Sequence, residues 1–295
     1  MVRRRLRLRP GAVLAGAALA PLSAAVVWPR SRGRDVAVCV LQMYVYVVAY
    51  KMPHDDPVAL EARVRIDYPI TLDRVLGAGE LPTTRLQRAL HSDGSFSTLE
   101  TVLVWAHWVW FATPHASLLF VRSRNRAGFA RAAVLTYAVF DIGSIAYWLI
   151  PTAPPWYAAQ KGRLGACAEG ETTRVRRLMV EYGERFWQDR WGQLYSVFGG
   201  NPLAAMPSLH FATSTMAALL LSETGFVPGA IGTTYAGVLG FALVYLGEHY
   251  VVDLAGGLAL CAAVRAAEPL ARAPLERFAA IVAGARRLAL EPGAS

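Results

Sequence analysis

The sequence predicts an all-α fold: an integral membrane bundle of six core transmembrane helices, preceded by an N-terminal apolar helix. Two observations lead to this prediction. Of the 295 residues, 55% are hydrophobic and the mean hydropathy is +0.33, whereas a soluble domain of this size needs a more polar surface to meet water. Several apolar runs also approach the roughly twenty residues that a helix needs to cross the hydrocarbon core of a bilayer.

Six apolar runs mark the predicted spans. They cover residues 36–52, 97–121, 130–151, 207–222, 228–247 and 250–267. Helix-breaking residues separate these runs: proline follows the first at Pro53 and the third at Pro151, and Pro228 lies in the short turn between the fourth and the fifth. The six spans together form a membrane domain over residues 35–268, which a basic tail follows at 269–295.

Arginine clusters give the expected orientation of the spans. They lie at 30–34, at 122–126 and from Arg265 onward. Because short basic loops are retained in the cytoplasm, an outward first span brings all three clusters to the cytoplasmic side. The segments 53–96 and 151–206 then lie on the extracytoplasmic face.

Two segments leave alternatives open. The basic N-terminus, 1–34, contains an apolar stretch at 11–28. We interpret this stretch as a re-entrant or interfacial helix, because a seventh span would invert the orientation; a signal peptide with a cleavage site at Ala18-Leu19-Ala20 is the other interpretation. The amphipathic stretch 58–90 predicts helices on the outer membrane surface or, about equally, a water-facing loop domain.

Charge and cysteine content exclude other classes of protein. The net charge of +9 suits the anionic headgroups of membrane lipids, and no recognition motif for nucleic acid accompanies it. Cys39 and Cys261 lie in apolar runs and Cys167 stands alone in a loop. The three cysteines therefore indicate neither a disulfide framework nor a zinc site.

The start of the fourth span carries the first polar residues with a chemical use, Pro207-Ser208-Leu209-His210. Proline is favoured in the first turn of a helix. Ser208 and His210 are therefore expected beside free backbone N–H groups at the positive end of the helix dipole, which attracts an anion such as phosphate. His210 adds a proton donor. A helix start with an incidental histidine explains these residues equally well.

The start of the sixth span carries the second group, His249 and Asp253. Their i,i+4 spacing puts both on one helix face. A carboxylate on one imidazole nitrogen fixes the tautomer and leaves the other nitrogen free as a base or nucleophile. The alternative is a polar pair that joins helices, but ionisable groups in a membrane are costly enough that function is the default expectation. The expected orientation puts His249 and His210 on the same extracytoplasmic face, which is the arrangement needed for phosphoryl transfer through a phosphohistidine.

Three segments that lie at span ends carry a family resemblance. They read PTAPPW at 151–156, NPLAAMPSLH at 201–210 and YLGEHYVVD at 245–253. Together they resemble the type 2 phosphatidic acid phosphatase superfamily, and most closely its inositolphosphotransferase branch, which includes inositol phosphorylceramide synthases. The resemblance implies a six-helix core and catalysis without a metal or other cofactor. It also implies that His249 attacks phosphorus, Asp253 orients it, and His210 protonates the leaving alkoxide.

The chain departs from the phosphatases of that superfamily in its cations. Those enzymes carry Lys-x6-Arg-Pro, which is absent here, and an arginine six residues before the nucleophile, where this chain has Leu243. We therefore name Lys161 and Arg163, with Ser208, as candidates to bind phosphate, although solvated loop charges are the commoner explanation for the two cations. Trp156 and Tyr250, which lie within the resembling segments, are the remaining candidates for substrate contact.

The sequence thus predicts an enzyme of membrane lipids that transfers a phospho-polyol headgroup, such as phosphoinositol, from a phospholipid. Hydrolysis of an isoprenoid phosphate or a phosphatidate is the alternative within the same chemistry. Two further classes stay open: a metal-dependent hydrolase with His210, His249 and Asp253 as zinc ligands, and a non-enzymatic carrier or scaffold. His107, in the second span, is interpreted as a helix-packing residue at the level of Asp141. Nothing in the sequence specifies an oligomeric state.

Overall fold

A computed structural model of the chain describes residues 10–92, 94–165, 174–198 and 200–290. The arginines of 3–9 and Cys167 lie outside the described residues. Within these ranges the chain forms helices and no strand, which confirms the all-α prediction. The α-helices are α1 Pro10–Val27, α2 Arg32–Lys51, α3 Pro57–Glu61, α4 Asp67–Leu76, α5 Pro82–Leu90, α6 Thr98–Trp108, α7 Thr113–Arg124, α8 Phe129–Leu149, α9 Pro155–Gln160, α10 Leu178–Trp187, α11 Trp191–Phe198, α12 Leu209–Ser222, α13 Phe226–Tyr245 and α14 Val251–Leu290.

Three of these helices, α1, α8 and α13, are long and apolar enough to cross a membrane, judged by length and composition among the described residues. Helix α12 is equally apolar in character but shorter, with 14 residues. These helices indicate a membrane protein. The number of six spans stays a prediction, and so does the role of α1, which is a continuous helix despite Pro21.

The second predicted span is two helices rather than one. Helix α6 ends at Trp108, a 3₁₀ turn follows at Val109–Phe111, and α7 begins at Thr113. Pro114 explains the break, because proline lacks a backbone N–H and its ring clashes with the carbonyl group four residues earlier. The break turns the side chain of Trp110 towards α12, where it donates a hydrogen bond to Thr213 at 2.9 Å.

The chain divides into two compact units. One comprises Met1–Asp55 with Arg265–Ser295, and here α1 packs against α2. The other comprises Asp56–Val264. Helix α14 continues through Pro269 and Pro274 to Leu290, so that much of the tail predicted at 269–295 is helical.

The larger unit is built around α12 and α13. Helix α12 packs against α13, α7 and α8, and α13 also contacts α6 and α5. The amphipathic stretch 58–90 forms α3, α4 and α5, and it buries the apolar side chains Leu60 on α3, Ile70 on α4 and Leu81 just before α5. The structure therefore confirms helices in this stretch, and their position relative to a membrane stays a prediction.

Candidate active site

Backbone hydrogen bonds bring the first resembling segment to the other two. The Thr152 N–H donates to the Leu203 carbonyl at 3.0 Å, which joins segment 151–156 to segment 201–210. The Trp156 N–H donates to the Gly247 carbonyl at 3.3 Å, which joins it to segment 245–253. Three segments that are far apart in the sequence therefore lie side by side.

The second and third segments also meet directly. The Ser208 N–H donates to the backbone carbonyl of Asp253 at 2.9 Å, so the start of α12 lies against the first turn of α14. This approach needs a glycine: a Cβ at Gly257 would lie 2.7 Å from the Ser208 carbonyl oxygen. Because glycine has no side chain, the start of α12 can pack closely against α14 at this point.

This approach aligns Asp253, His249 and His210. The Asp253 Oδ2 lies 3.3 Å from His249 Nδ1, and His249 Nε2 lies 3.2 Å from His210 Nδ1. His249 is 3% exposed and Asp253 is fully buried. With Asp253 ionised, the proton of His249 is on Nδ1, and Nε2 keeps its lone pair. His249 and Asp253 are in contact, although His249 lies in the turn before α14 and not on a helix face shared with Asp253. The sequence predicts His210 only on the same side of the membrane as this pair, and the structure adds its direct contact with His249, which lies in the middle.

Two aromatic side chains of the broken second span enclose the His210 ring. The ring of Trp110 lies 4.1 Å away between centroids, and the ring of His107 stacks on His210 at 5.0 Å. From the sequence, His107 is interpreted as a packing residue at the level of Asp141, and Trp110, like other tryptophans of the spans, as a lipid-facing or interfacial anchor. Their contacts with His210 were missed because they are made between the second predicted span and α12, which are distant in the sequence.

The start of α12 differs from the expected anion cradle. Ser208 is the N-cap and accepts a hydrogen bond from the Phe211 N–H through its hydroxyl oxygen at 3.3 Å, while Pro207 precedes the helix. The N–H groups of Ser208 and Leu209 donate to Asp253 and to the Tyr147 hydroxyl. Most of the N–H groups that were expected to be free are therefore engaged within the protein. A contact of Ser208 with substrate stays a prediction.

A residue that sequence reasoning missed, Asp73, caps the helix that carries Asp253. The Asp73 carboxylate accepts hydrogen bonds from the N–H groups of Val251 and Val252 at 3.1 and 2.8 Å. Burial raises the pKa of Asp73 to about 6, against the lowering effect of these hydrogen bonds. Its position on α4, remote in the sequence, gave no signal of this contact.

A second missed group is the ion pair of Arg177 and Glu248. The guanidinium Nε and Nη2 donate to the two Glu248 oxygens at 2.8 and 3.1 Å, and Nη1 donates to the Tyr195 hydroxyl at 2.6 Å. The Arg177 Cζ lies 4.1 Å from the ring centroid of Trp156. Burial raises the pKa of Glu248, but the charge of Arg177 and its hydrogen bonds outweigh burial and lower it. Both side chains are therefore charged, directly beside His249.

Comparison with known protein families shows the family of the chain. The profile of the PAP2 superfamily matches residues 84–267, which is more than half of the chain and contains all three polar residues of the site. The chain belongs to the PAP2 superfamily.

Two curated relatives of this superfamily member are synthases. The phosphoinositol dihydroceramide synthase of Bacteroides thetaiotaomicron is 29% identical over 139 residues, 46% of this chain and 44% of the relative. The inositol phosphorylceramide synthase catalytic subunit aur1 of Schizosaccharomyces pombe is 29% identical over 173 residues, 55% of this chain and 39% of the relative. The matches thus span less than half the length of either relative. No solved structure matches the chain.

The other predicted residues of this PAP2 chain lie in different surroundings. Lys161 pairs with Glu61, and Arg163 pairs with Asp67 at 2.7 Å, all with exposed side chains. Tyr250 is fully buried, and its hydroxyl has no hydrogen-bond partner among the described residues. The structure therefore brings Trp156 to the ion pair beside His249, and engages Lys161 and Arg163 in surface contacts.

The arrangement of His210, His249 and Asp253 does not favour the metal site that the sequence left open. Among the residues that the structure describes, no group of three or more His, Cys, Asp or Glu side chains is arranged to hold a metal ion. In the row of Asp253, His249 and His210, one nitrogen of His249 faces each neighbour. The lone pairs of the three side chains therefore do not converge on one point, as metal ligands must.

Proposed function

We propose that this protein is a multi-pass membrane phosphotransferase that moves a phospho-polyol headgroup from a phospholipid to a hydroxyl of a second lipid. The row of Asp253, His249 and His210 carries the proposal, because it supplies an oriented nucleophile with a proton donor beside it. Membership of the PAP2 superfamily supports phosphoryl transfer. Both relatives are named as synthases of lipids that contain inositol phosphate and a ceramide, which supports a polyol donor and a lipid acceptor.

The first step forms a phosphohistidine. The lone pair of His249 Nε2 attacks phosphorus, the bond from phosphorus to the diacylglycerol oxygen breaks, and His210 gives that oxygen a proton. Attack requires the contact between His249 and His210 to open, since phosphorus must come within about 3–3.5 Å of Nε2. Asp253 stabilises the positive charge that develops on His249.

The second step returns the enzyme to its starting state. An acceptor hydroxyl gives its proton to His210, its oxygen attacks phosphorus, and the bond between phosphorus and Nε2 breaks. Proton transfer by a positioned histidine accelerates such steps by about 10²–10⁴-fold. Water in the place of the acceptor would give hydrolysis, so the burial of His249 (3% exposed) favours transfer by limiting the access of water.

The proposal extends to topology. Six spans with cytoplasmic arginine clusters would put the His249 turn, the Pro151–Trp156 segment and α3 to α5 on the extracytoplasmic face. The short connection at 223–225 joins α12 and α13, which pack together, and the connection between α13 and α14 at 246–250 is similarly short; both support alternating spans. Labelling of single cysteines from outside sealed vesicles tests the face, and cytoplasmic access to position 163 would contradict it.

The activity test uses purified protein in vesicles that contain phosphatidylinositol labelled in its headgroup and a ceramide acceptor. We expect the label in a new lipid that depends on the acceptor. Release of water-soluble inositol phosphate alone would contradict transfer and support hydrolysis. His249→Ala is expected to abolish both products, whereas the matched loss of a histidine in α7, His115→Asn, is expected to retain transfer. Full activity in His249→Ala would refute the assignment of His249 as the nucleophile.

A further inference from the structure

The Arg177–Glu248 pair has hydrogen-bonding capacity that the described part of the chain does not use. A guanidinium carries five N–H donors, and the bonds to Glu248 and Tyr195 use three of them. A carboxylate has about four acceptor sites, and Arg177 occupies two. Both side chains are mostly buried, at 21% and 10% exposed. Unused donors and acceptors in such a place are costly unless a ligand or water meets them.

The aromatic member of the group adds a further unused donor. Trp156 is 8% exposed, and its indole N–H makes no hydrogen bond within the described part of the chain. The Arg177 Cζ lies over the Trp156 ring at 4.1 Å from the centroid, a cation–π contact that stabilises the guanidinium in this position. The three side chains therefore combine the charged N–H donors of Arg177 and the neutral N–H donor of Trp156 with the carboxylate acceptor of Glu248.

The backbone around the pair is held rigidly against the His249 turn. The Gln87 side chain donates to the carbonyls of Arg176 and Tyr245 at 2.9 and 2.8 Å and accepts from the Arg176 N–H at 2.9 Å. Gly247 has a φ of 82°, and a Cβ there would lie 2.6 Å from the Arg176 carbonyl oxygen. These backbone contacts therefore fix the position of Arg177 beside His249.

Resting on the proposed function, we infer that Trp156, Arg177 and Glu248 form the headgroup subsite, which takes a phosphorylated polyol. The free N–H groups of Arg177 bind a phosphate oxygen. The free lone pairs of Glu248 accept hydrogen bonds from polyol hydroxyls, and Trp156 supports the cation. Arg177 thus supplies the positive charge for phosphate that the phosphatases of the superfamily obtain from arginines which this chain lacks.

The charge of the pair explains which ligands the subsite selects. Glu248 already neutralises Arg177, so the pair offers little net attraction to a bare phosphate ion. A polyol phosphate satisfies the donors and the acceptors together, whereas phosphocholine has a phosphate but no hydroxyl to donate to Glu248. The subsite therefore favours inositol phosphate over both of these ions, and the difference depends on Glu248.

The test measures ligand binding to the purified full-length protein by ³¹P line broadening, with inositol 1-phosphate, phosphocholine and inorganic phosphate as probes. We expect inositol 1-phosphate to bind most tightly. Arg177→Gln should weaken its binding about 10- to 100-fold, since charge-assisted hydrogen bonds contribute about 1.5–3 kcal/mol. Glu248→Gln keeps one acceptor oxygen but loses the second oxygen and the charge, and it should reduce the preference for inositol 1-phosphate over phosphocholine. Arg185→Gln, the matched control on α10, removes an exposed cation that donates to the Gly94 carbonyl and should bind all three as the wild type does.

The outcomes separate this inference from the proposed function. An unchanged preference in Glu248→Gln, or equal affinities of the wild type for the three probes, would overturn the subsite whatever the transfer assay shows. Loss of transfer to ceramide with the preference intact would overturn the proposed function alone. Because removing one partner of a buried ion pair can unfold the chain, the double variant Arg177→Gln/Glu248→Gln is measured as well. It should lose the preference for inositol 1-phosphate, and retention of the preference would overturn the subsite.

Discussion

The ion pairs that follow the Pro-Pro-Trp segment fall into two kinds. Arg163 and Asp67 are joined by contacts of 2.7 Å, yet their side chains are 49% and 67% exposed. Arg177 and Glu248 have similar distances, but their side chains are 21% and 10% exposed, and the guanidinium of Arg177 lies over Trp156. The geometry of the two pairs is alike, and their surroundings differ.

The difference in exposure between the two pairs indicates which of them has a function beyond solubility and local structure. An exposed ion pair contributes about 0–1 kcal/mol because water and salt screen it. A buried pair requires desolvation of both charges, which the pair alone often fails to offset. Arg177 and Glu248 therefore add little to stability for their cost, and a role in binding accounts for their presence. The following predictions compare the buried group around His249 with the exposed group around Arg163.

The largest effect is expected for Asp253→Asn. An asparagine amide donates to His249 Nδ1, which forces the proton onto Nε2 and removes the nucleophilic lone pair. We expect the rate of headgroup transfer to fall on the order of 10³–10⁴-fold. Asp67→Asn, the same substitution in the exposed pair, is the matched control and should change the rate less than threefold. Equal effects of the two substitutions on the rate would break the comparison.

The next effect is on the backbone that presents Arg177 to the turn. Gly247→Ala places a Cβ 2.6 Å from the Arg176 carbonyl oxygen at a φ of 82°. We expect a loss of about 1–3 kcal/mol in the free energy of unfolding, measured by denaturation in detergent. Gly192→Ala on α11, where a Cβ meets nothing within 4 Å, should be neutral or stabilising. A stable Gly247→Ala protein would show that the turn is not held as described.

A smaller effect, dependent on pH, is expected at Asp73. Its pKa rises from 3.8 to about 6 on folding, mainly through burial, so between these values the folded state binds more protons than the unfolded state. The contribution of Asp73 to stability is therefore full below about pH 4 and is lost as the pH rises through 6. Asparagine keeps an acceptor oxygen for the cap and has no charge to bury, so Asp73→Asn should remove this dependence and gain stability relative to the wild type as the pH rises from 4.5 to 7. Melting temperatures from pH 4.5 to 7 check it, and an unchanged slope in the variant would contradict the assignment.

The smallest effect is expected at the exposed pair. Arg163→Gln should change the free energy of unfolding by less than about 1 kcal/mol, and the difference from the wild type should shrink further in 0.5 M salt. The same denaturation assay measures both. A loss above about 2 kcal/mol would mean that Arg163 is part of a buried network, and the contrast with Arg177 would no longer hold.

The sequence predicted the elements whose cause is local. Apolar runs predicted α8 and α13, because hydropathy acts within one helix. The i,i+4 spacing predicted a contact of His249 with Asp253, which forms although His249 precedes α14. The sequence put His210 on the same side of the membrane as this pair, but its contact with His249 depends on the packing of α12 against α14, which no local pattern shows.

The parts that were missed depend on contacts between distant residues. Arg177 meets Glu248 across 71 residues, and Asp73 caps α14 across 178; neither has a spacing or a motif that marks it. The break at Pro114 is visible in the sequence as a proline, but its consequence for Trp110 and His210 requires the packing of α7 against α12. The continuation of α14 through Pro269 and Pro274 ran against the ordinary effect of proline in a helix.

The central claim is that His249 becomes covalently phosphorylated. The most direct measurement incubates the protein with phosphatidylinositol labelled at phosphorus, without acceptor, quenches it in base and maps the label by mass spectrometry. We expect an acid-labile, base-stable adduct on His249 that disappears when ceramide is added and that is absent from His249→Ala. Label on His210 instead, or rapid transfer with no adduct at any time, would contradict it.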